Sequence, residues 1–328
     1  MPVTHRFVDT NGIRMHLAEA GSGPLVLLCH GWPESWYSWR HQIEAVAGAG
    51  FHAVAPDLRG YGQTDKPEAI DQYTIMHLAG DMIGVLDALE EKTAVIVGHD
   101  WGALMGWPCA LFRPDRFRAI ACLSVPYFPR RLVRPTTAMP RTETHEFYQL
   151  YFQKPGRAEA EFERDPKRTI ALTMLATSGS TAPPAAGTAP SPGPGMVSSA
   201  DGWLAGRSMP DKFPDWLTEA DIDFYGAEFE RAGFRGGLNW YRNVDRNWEL
   251  MAPFAGAKVE IPALFMTGDK DLVYKFPGVE QHVANLSQFV PKLRKTVILP
   301  GCGHWTQQER KDDVNRELVT FLKGLRDQ

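Results

Sequence analysis

The stretch AVIVGHDWGALMGW, positions 94–107, constrains the fold of this chain more than any other. Val95, Ile96 and Val97 form a short β-branched run that breaks at Gly98 and gives way after Gly102 to a helical pattern beginning near Trp101. The pattern predicts a strand that enters a tight turn and leaves it as a helix. Asp100 stands midway between the two glycines, where a G-x-S-x-G elbow places its nucleophile on a strained turn. Aspartate in that position changes the chemistry. A carboxylate with an ordinary pKa of ~3.9 is already ionised at pH 7, so it can attack saturated carbon without help from a base. The product is an enzyme ester, and its release requires water activated by a histidine with a carboxylate partner. An aspartate at a strand-to-helix turn is also a common helix cap, so the pentapeptide alone leaves both roles open.

The rest of the chain supplies a setting for such an elbow. Residues 4–18 alternate polar and apolar around Asn11-Gly12, with Ile13, Met15 and Leu17 on one face, which predicts an antiparallel hairpin. Leu25–Cys29 reads as a strand buried on both faces, ending at His30-Gly31-Trp32-Pro33. A helix over 38–47, a buried strand over 53–55, the loop LRGYGQTDKP and a helix over 74–89 lead to the elbow. Pro114 stops the elbow helix, and 119–125 reads as the next strand. Alternating strands and helices predict an α/β, doubly wound, mostly parallel sheet.

The alternation then fails. Residues 127–248 show helical stretches without a convincing strand, and 178–199, SGSTAPPAAGTAPSPGPGMVSS, is rich enough in Pro, Gly, Ala and Ser to read as a mobile loop. We expect an inserted helical cap over 127–248, with the core formed by 1–126 and 249–328. Strands over 263–267 and 296–299, with a helix between them and a last amphipathic helix over 312–325, complete the core. Each of these strands runs into a candidate partner for Asp100: GDKDLV offers Asp269 and Asp271, and GCGH offers His304. Nucleophile, acid and histidine in that chain order fit a triad assembled beyond the carboxyl ends of parallel strands.

Composition removes several classes of function. The chain has 328 residues, 44% hydrophobic and 23% charged, with net charge −4, enough for one large domain with an insertion or for two domains. No basic stripe interleaved with aromatics suggests nucleic acid, and small neutral substrates fit. The start MPVTHRFVDTNG lacks a charged segment followed by an apolar one, and no apolar run approaches the ~20 residues of a membrane span, so a soluble cytoplasmic protein is expected. Cys29, Cys109 and Cys122 lie in apolar runs and Cys302 in a Gly-rich loop, with no C-x-x-C pair to suggest a disulfide framework or zinc site. His30 and His99 lack spaced metal-ligand partners, and no metal is expected. The sequon at Asn285 is expected to carry no sugar. Nothing in the sequence assigns an oligomer interface; monomer and homodimer both fit.

The segments HGWPESWYSWR, DLRGYGQTDKP, GHDWG, YQLYFQKPG, GFRGGLNWYRN, TGDKDLV and GCGHWTQQER together resemble the epoxide hydrolases of the α/β-hydrolase superfamily, over nearly the whole chain. The resemblance implies an α/β-hydrolase fold with a cap and a cofactor-independent ether-bond hydrolase that turns a small hydrophobic epoxide and water into a vicinal diol. Asp100 would be the nucleophile and His304 the general base, with Asp271 orienting the histidine and Asp269 as the fallback. The amides of Trp32 and Trp101 would form the oxyanion hole, and the cap residues Tyr148 and Tyr241 would donate to the epoxide oxygen. Opening an epoxide creates an alkoxide far more basic than a phenol of pKa ~10, which is the chemical reason for tyrosine donors. Pro33 would fix the loop and aim the Trp32 amide, with a cis Trp32–Pro33 bond as one means. Trp36, Trp107 and Trp305, together with Pro33, are the expected substrate wall.

Two rival readings exist. A haloalkane dehalogenase uses the same aspartyl ester, but its halide needs no proton, its donors are N–H groups, and the loop typically reads HGNP where Trp32 stands here. A binding protein on the same fold would be expected to lack a triad member, and none is missing.

Overall fold

The computed structural model describes residues 2–180 and 193–325. Its centre is an eight-stranded sheet built from β1 (Thr4–Thr10), β2 (Ile13–Ala20), β3 (Leu25–Cys29), β4 (His52–Pro56), β5 (Ala94–His99), β6 (Phe117–Leu123), β9 (Ala263–Gly268) and β10 (Leu293–Leu299), in the order β1-β2-β4-β3-β5-β6-β9-β10. The hairpin turns at Asn11-Gly12 and pairs Thr10 with Ile13; β2 also runs antiparallel to β4, and the remaining pairs are parallel.

Strands buried on both faces feed two separate cores. Leu25, Leu27 and Cys29 of β3 face one side, where α2 (Ile75–Ala88) and α3 (Trp101–Phe112) pack. Val26 and Leu28 face the other, against α1 (Arg40–Gly48) and α13 (Lys311–Lys323), whose Val314, Leu318, Phe321 and Leu322 form its buried stripe. The strand period of two therefore assigns successive residues of one apolar run to different helical layers. The observed elements differ from the expected ones by a few residues at their ends: β10 begins three residues earlier, β6 is shifted to Phe117–Leu123, and α13 ends at Lys323.

Between β6 and β9 lie α4 (Pro135–Ala138), α5 (Tyr148–Tyr151), α6 (Arg157–Phe162), α7 (Pro166–Ala176), α8 (Glu219–Ala232), α9 (Arg235–Arg242) and α10 (Val244–Leu250). After β9 come α11 (Val279–Ala284) and, following β10, α12 (Thr306–Glu309). Thr218 and Asp221 close a capping box at the start of α8, and Gly233 at φ 69° ends it. One expectation fails here: this region contains two short strands, β7 (His145–Phe147) and β8 (Met196–Ser198), paired antiparallel. Three-residue strands are too short to show alternation, so their pairing is invisible to periodicity. The expected mobile loop at 178–199 lies partly outside the described residues; of that span, 178–180 and 193–199 are described, and 196–198 is strand.

The helical insertion is fastened to the core through the loop after β4. Arg59 in that loop forms a fully buried ion pair with Asp81 of α2, both side chains 1% exposed, with Nε to Oδ2 at 2.8 Å. The Arg59 carbonyl then accepts Trp240 Nε1 of α9 at 3.0 Å, and the Ile70 carbonyl accepts Asn243 Nδ2. Removing one partner leaves a buried charge uncompensated. Asp81→Ala is therefore expected to lower stability by roughly 3–5 kcal/mol in urea denaturation, with a loss under ~1 kcal/mol showing that the pair does not hold this junction.

Candidate active site

The elbow is formed as the residues suggest. β5 ends at His99, Asp100 adopts φ 51° and ψ −115°, and α3 begins at Trp101. A non-glycine residue at positive φ outside a regular turn is strained, and it persists because the surrounding packing over-determines it. Gly102 is part of that packing: a Cβ there would stand 2.0 Å from the Cys29 carbonyl oxygen, so only glycine lets α3 close on the end of β3. The loop after β3, with its cis Trp32–Pro33 bond, brings the Trp32 N–H to 2.9 Å from Asp100 Oδ1. The Trp101 N–H also supports the carboxylate. Oδ1 is thus held by the Trp32 N–H, while Oδ2 lies 3.6 Å from His304 Nε2.

His304 is reached from the loop after β10. Its Nδ1 is 3.1 Å from Asp271 Oδ1 and 3.1 Å from Ser124 Oγ. Asp271 also accepts the Val273 N–H at 2.9 Å, which fixes the carboxylate from its own turn. Asp269 points elsewhere and accepts the Gly301 N–H at 2.7 Å. Above the elbow, Tyr148 starts α5 and Tyr241 lies on α9, with ring centroids 5.8 Å apart. Tyr241 meets the Trp101 and Trp32 rings edge to face at 5.0 and 5.8 Å, and Phe152 and Trp203 complete the aromatic surround. The site is closed to bulk solvent: Asp100 and His304 are each 7% exposed, Tyr148 9% and Tyr241 2%.

Residues 24–311 match the model of the α/β-hydrolase fold family. The chain is 45% identical to epoxide hydrolase A of Mycobacterium tuberculosis and 42% identical to epoxide hydrolase 3 of Siraitia grosvenorii, with 98% of both chains covered in each case. A solved epoxide hydrolase from an endophytic Streptomyces superposes with TM-score 0.92 at 45% identity, covering 99% of this chain and 96% of the other. The chain belongs to the epoxide hydrolase family. Relatives named for that activity, at near-complete coverage, decide between epoxide and haloalkane as the class of substrate.

In this epoxide hydrolase, charge and burial set Asp100, Asp271 and His304 against ordinary solution behaviour. Burial raises the Asp100 carboxyl above its usual range, opposed chiefly by the His304 charge. Burial would likewise raise Asp271, but His304 and hydrogen bonds from Ser124 and Val273 outweigh it and hold Asp271 low. Burial alone would lower His304; the carboxylates of Asp271 and Asp100 reverse this and push it up to about 9. Both tyrosines are raised by burial and then by the Asp100 charge, which keeps their protons on.

Several neighbours were not singled out as site residues by sequence reasoning. Glu34 is buried beneath the site, where its Oε2 accepts the Gly31 N–H at 2.8 Å and lies 2.8 Å from His99 Nδ1. Burial would raise Glu34, but His99 outweighs it and takes it down to about 2. His99 Nε2 donates to the His304 carbonyl at 2.7 Å, so a second acid–imidazole pair holds the main chain of His304. The signals were Glu34 in HGWPE and His99 beside Asp100, but neither has a periodic or spacing signature. His30 accepts the Leu58 N–H at Nε2 and supports the loop after β4.

Of the expected substrate wall, Trp36 packs on His5 of β1 and Phe224 of α8, and its main-chain N–H donates to Asp57. Trp107 donates its indole N–H to the Val125 carbonyl and packs on Tyr127. Trp305 lies 4.8 Å from the His304 ring and donates to the Met174 carbonyl. Pro33 follows Trp32 in the loop after β3.

His304 binds its proton more tightly folded than unfolded, between 6.5 and about 9. Its contribution to stability, on the order of 3 kcal/mol, is complete below pH ~6.5 and lost as pH rises through ~9. Asp100→Asn removes one of the carboxylates that raise it. The His304 midpoint followed by NMR is expected near 9 in the native enzyme and lower in D100N, and an unchanged midpoint would show that Asp100 does not contribute.

Proposed function

We propose that this enzyme opens small apolar epoxides through an ester on Asp100 and releases vicinal diols, with no cofactor or metal. The supporting observation is the division of labour within the Asp100 carboxylate: Oδ1 is engaged by the Trp32 N–H, and Oδ2 lies toward His304. In the first step Oδ2 attacks an epoxide carbon from behind, the ring C–O bond breaks, and the oxygen takes a proton from Tyr148 or Tyr241. The resulting phenolate recovers a proton from the His304 imidazolium. Esterification has removed the Asp100 charge that helped to raise His304, so the imidazole gives up this proton and becomes a base at the moment one is needed.

In the second step neutral His304, oriented by Asp271, takes a proton from water as its oxygen attacks the ester carbonyl. The carbonyl oxygen is Oδ1, which already accepts the Trp32 N–H, and in this reading the Trp101 amide, which also supports the Asp100 carboxylate, joins it in stabilising the tetrahedral oxyanion. Collapse breaks the bond to the substrate, the diol leaves carrying the second proton of the intermediate, and the resting carboxylate and imidazolium are restored. Residues 127–248 act in this reading as a cap that carries the acid pair and excludes water, over a core of 1–126 and 249–328. A cytoplasmic setting fits four buried thiols, none in a disulfide. No described helix is long and apolar enough to cross a membrane.

The tyrosine pair separates this chemistry from halide displacement. Replacing Tyr148 and Tyr241 together by Phe is expected to lower diol formation from styrene oxide by roughly 10²–10⁴-fold. Retained turnover in that double variant, or halide release from bromoalkanes without diol formation by the native enzyme, would contradict the proposal.

A further inference from the structure

His304 is followed closely by α12, whose last residue, Glu309, folds back on the loop that carries the histidine. Three main-chain N–H groups converge on its carboxylate. Gly303 and Gly179 donate to Oε2, each at 2.9 Å, and Trp305 donates to Oε1 at 3.1 Å. Gly303 and Trp305 flank His304, so one side chain holds the main chain immediately before and after the base. Gly179 comes from the run that leaves α7, far away in sequence.

That run and the histidine loop lie main chain against main chain. The His304 N–H donates to the Thr177 carbonyl at 2.9 Å, Trp305 Nε1 to the Met174 carbonyl at 2.7 Å, and Lys270 Nζ to the Gly179 carbonyl at 3.1 Å. A Cβ on Gly303 would stand 2.1 Å from the Gly179 nitrogen, so the contact tolerates no side chain there. Where two backbones meet this closely, their N–H groups need an acceptor that reaches in from outside the contact, and Glu309 supplies it. Charge-assisted acceptance of three donors gives the loop a defined position relative to the inserted helices.

We propose that Glu309 is a positioning residue for the hydrolytic half of the reaction: by holding Gly303 and Trp305 against Gly179, its carboxylate fixes where His304 Nε2 meets water and ester. The inference rests on the two-step ester reading above. Formation of the ester depends on Asp100, which is held from the β3 and α3 side. Its hydrolysis depends on the line from Nε2 through water to the ester carbonyl, so a loosened histidine loop slows the second step selectively. When the second step slows, kcat and KM fall together and kcat/KM, set by binding and ester formation, is preserved. Loss of folded enzyme has a different signature, with kcat and kcat/KM falling equally at constant KM.

The test compares native enzyme, Glu309→Gln and Glu309→Asp on styrene oxide, with steady-state kinetics and acid-quench mass analysis of the peptide containing Asp100. Gln keeps one acceptor oxygen and turns an NH2 group toward donors; Asp keeps both oxygens on a shorter arm. The expected result for E309Q is a kcat lower by roughly 10–100-fold, a KM lower by a similar factor, kcat/KM within about threefold of native and a larger fraction of esterified Asp100, with E309D in between. Native kinetics in E309Q, or a parallel loss of kcat and kcat/KM without extra ester, would overturn the proposal. If E309Q does not fold, the same criteria apply to E309D. Diol formation with no ester in the native enzyme or either variant would instead defeat the two-step reading, and with it this inference.

Discussion

A buried carboxylate facing a buried imidazolium is the interaction on which this structure depends. Asp100 and His304 are both nearly shielded from solvent, and each is charged at the other's expense of solvation, since burial works against the ionised form of either. Main-chain N–H groups of Trp32 and Trp101 on the carboxylate and Asp271 on the far side of the imidazole make the arrangement tenable. In the proposed mechanism the same features make it reactive: a buried aspartate with one oxygen held would be a better nucleophile than a hydrated one, and its conversion to a neutral ester would change the proton affinity of the histidine beside it.

The surrounding architecture serves to keep that pair aligned. The carboxyl ends of β3, β5, β6 and β9 lie together, so the Trp32 loop, Asp100, Ser124 and the Asp271 turn meet there despite their separation in sequence. His304 is held from three directions: Asp271 and Ser124 at Nδ1, the Glu34–His99 pair at its carbonyl, and Glu309 at the flanking amides. The inserted helices contribute both the tyrosines and the run at 177–179 that contacts the histidine loop, so the acid pair and the base of the proposed reaction are linked through the same insertion.

Much of this could be read from the chain because the informative residues are local. An apolar β-branched strand, a glycine-flanked aspartate and a following helix are contiguous, so the elbow and its strand were legible, as were the hairpin and the alternation of elements. Asp271 and His304 were legible as chemistry at strand ends, and the resemblance chose Asp271 over Asp269, which the structure turns toward Gly301. Contacts that depend on tertiary packing left no such trace. Glu34, His99 and Glu309 act through groups of distant segments, the His99 ring, the His304 carbonyl and the Gly179 N–H, and Trp36 sits in a motif near the Trp32 loop yet faces β1 and α8. The pairing of β7 with β8 joins segments some fifty residues apart, each too short to carry a period.

The central claim is that Asp100, rather than water, attacks the epoxide. A single turnover of styrene oxide in ¹⁸O-labelled water, with enzyme in excess and mass analysis of both the diol and the peptide containing Asp100, tests it directly. The account predicts a first diol whose new oxygen is unlabelled, with the label appearing in the Asp100 carboxylate. Label entering the diol directly, with Asp100 unlabelled, would show that water opens the ring and would contradict the account.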